Sequence, residues 1–419
     1  MAQFQPPRGT RDLLPEDMIK RQFILDTARA VFESWGFDPL DTPAFEDFAL
    51  LTAKSGEAIK DEIYYFKDKS DRELGLRFDF TVPLCRVAAS NPNLPKPFRR
   101  YQLGTVWRYD RPGAGRYREF CQADVDIVGA AGPEADVEVV ACACSVLQKI
   151  GLSNFYVRIN NRKIISSFLD SLGADSVSVM RTVDKLNKIG EKEVVEELKG
   201  KGVSEDKVKE IMRFVKITDV KKASPLIKDE SGKEGIDELY VLLKGLEKFG
   251  FSAEVDMSMV RGLEYYTGNI FEIMQRGSEL TITAGGRYDR MIEAFGGKPT
   301  PATGISLGVD RLMGFIQVDF GKTKVAVYLS NVDEGSKAFC VEIAKQLREL
   351  GINAEYDVSA RSLGKQLEYV NSKGIKYSIV VGEKEAKSGV VKLRNMASGN
   401  EKEVEIRNIK RIKDIIGSE

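Results

Sequence analysis

Between residues 98 and 129, two strand-like arms run into and out of the pentapeptide RPGAG, and this pattern limits the fold more than any other. A Pro-Gly pair marks a turn or mobile loop. The arms, Phe98–Tyr109 and Cys121–Val128, are therefore expected to form a hairpin. Four arginines, Arg108, Arg111, Arg116 and Arg118, surround the turn. Solvated, they form a surface patch. Turned inward, guanidinium forks match phosphate oxygens, and aromatic neighbours can stack a base.

The rest of the chain extends this pattern. Further strand-like runs lie at Ile63–Lys67, Leu74–Phe78 and Phe155–Ile159. Apolar residues at helical spacing mark Asp17–Phe32, and Glu134–Ile150 also reads as a helix. The extended stretch DPLDTPAFED, with prolines at 39 and 43, follows the first helix. Strands strung together between long helices predict a largely antiparallel α+β domain, not alternating βαβ units. From Arg162 to Gly250 the chain turns Lys- and Glu-rich with helical periodicity, which predicts a solvated helical insertion. Strand-like, glycine-rich segments return from Ala253 to Gly314. Residues 321–419 alternate strand and helix (KVAVYLS, Ser336–Leu350, INAEYDV, Leu363–Ser372, YSIVVG), a compact α/β domain with mainly parallel pairing. The expected division is 1–161 with 251–320, then 162–250 as an insertion, then 321–419.

Composition narrows the chemistry. The 419 residues contain no histidine, which removes the usual general base and the Ser-His and Cys-His nucleophile pairs. Catalysis is left to carboxylates, arginines, lysines, tyrosines or the substrate's own groups. Five cysteines without disulfide-like spacing suit a reducing, cytoplasmic setting, and without CxxC or histidine a zinc site is not expected. No apolar run approaches the roughly 20 residues that span a bilayer, and the N-terminus has no apolar signal core. Sixty-three basic residues balance sixty-three acidic ones, so any basic surface must be local.

Three more segments join glycine, arginine and aromatics. In residues 74–86, alternation places Phe78 and Phe80 on one face of a strand and Arg77, Asp79 and Thr81 on the other. This is either a half-buried strand or one presenting a carboxylate and a hydroxyl to an amino group. In MVRGLEYYTGNIFEI (259–273), glycines bracket a Tyr-Tyr pair, and glycine permits close backbone approach to a ligand. ITAGGRYD (282–289) leads to TGISLGVDRL (303–312), a strand-to-helix transition with Arg311 in the first turns of the helix.

Together these segments resemble those of histidyl-tRNA synthetases, in that family's order. GTRDLLPED, RGLEYYTG and AGGRYD resemble the family's signatures. FDPLDTPAFED, FRRYQLGTVWRYDRP…GRYREF and GISLGVDRL resemble motifs 1, 2 and 3 of class II synthetases, and SIVVGEKEAKSGVVKLRNM resembles the anticodon-binding domain. The resemblance implies an antiparallel class II catalytic domain with a helical insertion and a C-terminal α/β anticodon-binding domain. It implies ATP-dependent ligation of histidine to tRNA(His) through a histidyl-adenylate, with magnesium beside the ATP and a homodimer built on motif 1. By the family pattern, Arg108 and Arg261 hold the α-phosphate, and Arg116 and Arg311 contact the distal phosphates. Phe120 stacks on adenine and Asp110 helps place the base. Asp79 and Thr81 bind the ammonium, with Gln122 turned towards the amino-acid backbone. Asp126, Tyr266 and Tyr288 surround the imidazole. Asp79 and Asp126 stand where many members carry glutamate, one methylene longer. The rival readings are a catalytically silent, histidine-sensing regulatory paralogue, a class II synthetase for another amino acid, and a tRNA-binding module acting through the terminal domain alone.

Overall fold

The computed structural model of the chain describes residues 4–53, 61–111, 113, 115–260, 265–277 and 281–417. Its contacts divide the chain into two units, Met1–Asp12 with Phe23–Gln317, and Leu13–Gln22 with Val318–Glu419.

The first unit is built on an eight-stranded sheet. Its strands are β1 (Asp38–Pro39), β5 (Phe98–Trp107), β6 (Glu119–Val128), β7 (Phe155–Asn161), β8 (Ala253–Val255), β9 (Asn269–Gln275), β10 (Thr281–Arg287) and β11 (Ala302–Gly308). They lie in the order β1-β5-β6-β11-β10-β9-β7-β8. The pairings from β5 through β7 are antiparallel, and only the short edge strands β1 and β8 pair in parallel. The hairpin expected around RPGAG is β5–β6, in register from Phe98↔Val128 to Trp107↔Glu119. A small antiparallel sheet, β2 (Phe45–Asp47), β4 (Glu73–Leu76) and β3 (Tyr65–Lys67), stands beside it.

Behind the large sheet lies the helix Glu134–Lys149, whose apolar side is buried from Val137 to Leu147. The helix Glu230–Lys248 packs on β7 and on the helix Arg162–Ser171. A buried ionic cluster fastens these layers. Arg287, 1% exposed, reaches Asp136 at 3.1 Å, Asp289 at 3.3 Å and the carbonyl of Gly132 at 2.8 Å. Asn269 donates to the same Asp136 carboxylate at 2.9 Å.

Two local expectations are corrected. The strand around Leu74 ends at Leu76, and a helix begins at Thr81. Asp79 and Thr81 therefore sit at a helix N-terminus, not on alternating strand positions. The cause is in the sequence: Asp79 accepts a hydrogen bond from Val82 N at 3.1 Å, and Pro83 lies in the first turn, where its missing N–H costs nothing.

The second unit carries a five-stranded sheet. In the order β13 (Ala354–Tyr356), β12 (Val327–Asn331), β14 (Tyr377–Val381), β15 (Val390–Asn395) and β16 (Glu401–Glu405), its first two pairings are parallel and its last two antiparallel. The expected mainly parallel sheet is thus a mixed one. The helix Lys337–Glu349 joins β12 to β13 and Leu363–Lys373 joins β13 to β14, as the βαβ pattern requires.

Removing one member of a buried ion pair leaves the other uncompensated. Asp136→Ala is expected to destabilise the first unit by about 3–5 kcal/mol, and Asp136→Asn by less. Denaturant midpoints of the two variants check this.

Candidate active site

A cleft of about 590 Å³ opens over β6, β10 and β11, lined on its floor by Asp79, Gln122, Asp124, Asp126, Tyr266 and Tyr288. The floor follows from strand periodicity, since residues i, i+2 and i+4 share a face. Gln122, Asp124 and Asp126 alternate along β6, and the register sets Gly308, Ser306 and Gly304 of β11 beside them. Gly304 is required there, because a Cβ would stand 1.9 Å from Asp126 Oδ1. Gly286 of β10 likewise leaves room for the Tyr266 ring, 2.8 Å from where its Cβ would lie.

Asp126 is held from two sides. Arg100, fully buried on β5, reaches its Oδ2 at 2.7 Å, and the Tyr288 hydroxyl donates to its Oδ1. Gln122 donates its amide to Ser306 Oγ at 2.7 Å. Tyr265 packs edge-on against Tyr266, centroids 4.9 Å apart, in the same pocket. Three buried acceptor atoms on this floor have no hydrogen-bond partner among the described residues: Asp79 Oδ2, Gln122 Oε1 and Asp124 Oδ1.

Burial dominates the proton affinities. It pushes the Asp79 carboxyl up to about 6, against the Val82 N–H and the nearby Arg108, with Asp126 adding to the rise. It pushes Asp124 up to about 8, opposed by Arg100 and reinforced by Asp126 and Asp79. Asp126 is raised by the same burial, against Arg100 and the Tyr288 hydrogen bond.

The rim carries the cations. Arg108, at the end of β5, donates to the carbonyl of Phe78 at 3.0 Å and lies 5.3 Å from the centroid of the Phe120 ring. Arg116 stands across the hairpin turn, more than half exposed, 4.0 Å from Asp110. Arg118 is turned away, over the Tyr109 ring at 4.0 Å and bonded to the Asp110 carbonyl, so it braces the hairpin. Arg311 enters from the helix Val309–Phe315 and donates to Thr281 O at 2.7 Å. That helix is pinned at its start: Asp310 pairs with Arg11 at 2.7 Å and accepts from Cys121 N at 2.6 Å.

The structure thus brings Asp79, Thr81, Arg108, Asp110, Arg116, Phe120, Gln122, Asp126, Tyr266, Tyr288 and Arg311 to one cleft. Arg261 lies outside the described residues. Sequence reasoning passed over Asp124, Arg100 and Glu62. Asp124 was open to detection, since alternation in QADVD puts it on the face of Gln122 and Asp126. Glu62, on the rim, has its carboxyl raised by burial and by Asp110, against Arg108 and Arg116.

A family model described as histidyl-tRNA synthetase matches residues 9–312, and one described as anticodon binding domain matches residues 324–412. The chain belongs to the histidyl-tRNA synthetase family. The histidine–tRNA ligase of Thermococcus kodakarensis is 36% identical, with 100% of both chains covered. That of Aeropyrum pernix is 39% identical, with 94% of each covered. A crystal structure of histidyl-tRNA synthetase from Nostoc sp. PCC 7120 superimposes with a TM-score of 0.86 at 30% identity, covering 99% of this chain and 100% of that one. Members of the family use ATP as a substrate. None of these relationships favours the regulatory paralogue.

Folding raises the proton affinity of Asp124 above its ordinary value, so the folded chain holds this proton more tightly than the unfolded one. Stability is then fully present at acid pH and declines as pH rises through about 8. Asp124→Asn is expected to melt with the unmodified chain near pH 4 and above it near pH 8.5. The expected margin at the higher pH is about 1 kcal/mol or more, the equivalent of one pKa unit; thermal unfolding at the two pH values checks it.

Proposed function

We propose that this cleft joins histidine to ATP and passes the resulting acyl group to tRNA(His). The observation that carries the reading is the division of charge: buried, unpaired acceptors on the floor and arginines on the rim. Such a floor suits a ligand rich in N–H donors, and such a rim suits phosphates.

In the first step the histidine carboxylate attacks the α-phosphate of ATP in line and pyrophosphate leaves. In the second, the terminal 3′-hydroxyl of the tRNA attacks the acyl carbon of the adenylate. Both nucleophiles belong to substrates, so the protein's part is positioning and charge stabilisation, which a chain without histidine can provide. Asp79, through its free oxygen, and Thr81 hold the ammonium. Gln122 offers its free carbonyl oxygen to the amino-acid backbone groups. Asp126, Tyr266 and Tyr288 enclose the imidazole. Arg108 and Arg261 neutralise the α-phosphate, and Arg116 and Arg311 the distal ones. Phe120 stacks on adenine and Asp110 helps to place it.

A magnesium ion bound with the ATP phosphates would neutralise part of their charge and would need only one or two carboxylates from the protein. Among the described residues no three His, Cys, Asp or Glu side chains are placed so that they could hold a metal ion together. Residues 1–161 and 251–320 serve catalysis, 162–250 form the insertion and 321–419 read the anticodon. The working form is a homodimer, and Phe45 (51% exposed) and Phe66 (37%) on the small sheet are apolar surface of the kind an interface covers. A cytoplasmic setting agrees with five free, buried cysteines, and no helix among the described residues is long and apolar enough to cross a membrane.

Histidine-dependent ATP–pyrophosphate exchange tests the reading, run beside the other amino acids. Exchange with histidine is expected, and exchange driven by a different amino acid would overturn the assignment. Arg108→Ala should lower the rate by roughly 10²–10³-fold, as for a lost donor to developing charge. Because Asp79 binds the ammonium only when ionised, the KM for histidine should rise as pH falls through about 6. Asp79→Asn should have a raised KM already at neutral pH.

A further inference from the structure

We propose that Asp124 is a specificity-determining residue whose free carboxyl oxygen accepts a hydrogen bond from a ring N–H of histidine. The assignment rests on the reading of the cleft as the site of histidine activation.

Asp126 holds the position that the family pattern gives to the imidazole, yet both its oxygens are already engaged, by Arg100 and by Tyr288. Asp124 lies two residues before it on the same face of β6, 4% exposed and lining the same cleft. Its Oδ1 has no partner among the described residues. Two neighbouring amides are committed elsewhere, and Arg100, whose Nε and Nη1 also have no hydrogen-bond partner among the described residues, does not bond Oδ1. Gln102, opposite it on β5, gives its amide to Asp41 at 3.0 Å and Thr42 at 3.1 Å. Gln122 gives its amide to Ser306 Oγ. The Ser306 hydroxyl, opposite on β11, opposes the rise in the proton affinity of Asp124, while Oδ1 has no hydrogen-bond partner among the described residues. A buried acceptor left unpaired costs about 1–3 kcal/mol, which a bound donor recovers.

The charged and titratable groups facing Asp124 are Arg100 from β5, Asp126 from β6, Asp79 from the segment before Thr81, and the Tyr266 hydroxyl. Burial keeps a proton on Asp124 at neutral pH. With the neutral imidazole bound, carboxyl and ring hold one proton between them beyond the ring's own N–H; on either group the net charge of the site is unchanged, and a carboxylate at Asp124 favours it on the ring. A phenylalanine or leucine side chain leaves Asp124 unpaired, and a site built for a donor rejects ligands lacking one.

The test is pyrophosphate exchange by the unmodified chain, by the nearly isosteric Asp124→Asn and by Asp124→Ser. Both variants are expected to raise the KM for histidine by about 10-fold or more, the worth of a hydrogen bond to a charged group. The KM for ATP should stay within about twofold of the unmodified value, consistent with a local role. Because the protein has no histidine, ring signals of bound ¹⁵N-histidine carry no protein background. The bound ring is expected to keep both protons to a higher pH in the unmodified chain than in Asp124→Asn. An unchanged histidine KM in both variants, parallel rises for histidine and ATP, or identical ring titrations would each overturn the proposal. If the unmodified, folded chain shows no histidine-dependent exchange, the reading of the cleft fails first and this assignment falls with it.

Discussion

Three carboxyl groups, Asp79, Asp124 and Asp126, share the floor of one cleft, and among the described residues the only guanidinium in an ion pair with any of them is the fully buried Arg100, on Asp126. Charges taken out of water without full compensation cost several kcal/mol each. Burial raises all three carboxyls above their ordinary values, and Asp124 keeps its proton at neutral pH. Burial also leaves acceptor atoms unpaired, a destabilising state that a ligand bearing N–H donors relieves. A ligand with N–H donors is thereby favoured over one without.

That arrangement demands a rigid frame, and the fold supplies one at two levels. The central antiparallel strands fix the spacing of Gln122, Asp124 and Asp126, with Gly304 opening the space above Asp126. Buried ionic contacts then lock neighbouring elements onto those strands. Arg287 and Asp136 tie β10 to the helix behind the sheet, and Arg11 and Asp310 tie the N-terminal segment to the helix that carries Arg311. Arg118 does the same for the hairpin turn that holds Arg116. Some of the basic and acidic residues that crowd the motifs thus hold the frame, while others face the cleft.

The hairpin was legible because two independent signals agreed, a strand-like run on each arm and a Pro-Gly turn between them. Arg311 was legible because a glycine-rich strand runs directly into a helix. Asp79 and Thr81 were read on a strand because LRFDFT alternates as a strand does. A capping hydrogen bond to Val82 and a proline in the first turn overrode that periodicity. Arg100 could not be read at all: its partner Asp126 is 26 residues away, and only the β5–β6 register joins them. The last two strands of the second unit were missed for a similar reason, since a sequence alternating strand and helix does not announce an antiparallel hairpin at its end. Gln122 and Asp126 came from the family pattern, and Asp124 was open to an alternation argument along the same strand that was not made. The family pattern drew attention to those two and away from the residue between them.

The most direct measurement is the thermal stability of the apo chain in the presence of histidine, histidinol, N-acetylhistidine and phenylalanine. A ligand that binds only the folded state raises the midpoint in proportion to its affinity. Histidinol keeps the ammonium and the imidazole, so it should raise the midpoint as histidine does. N-acetylhistidine, which lacks the ammonium that Asp79 awaits, and phenylalanine, which lacks ring donors, should leave it unmoved. A shift with phenylalanine or N-acetylhistidine as large as that with histidine would contradict the account, because the unpaired acceptors would then not be what selects the ligand.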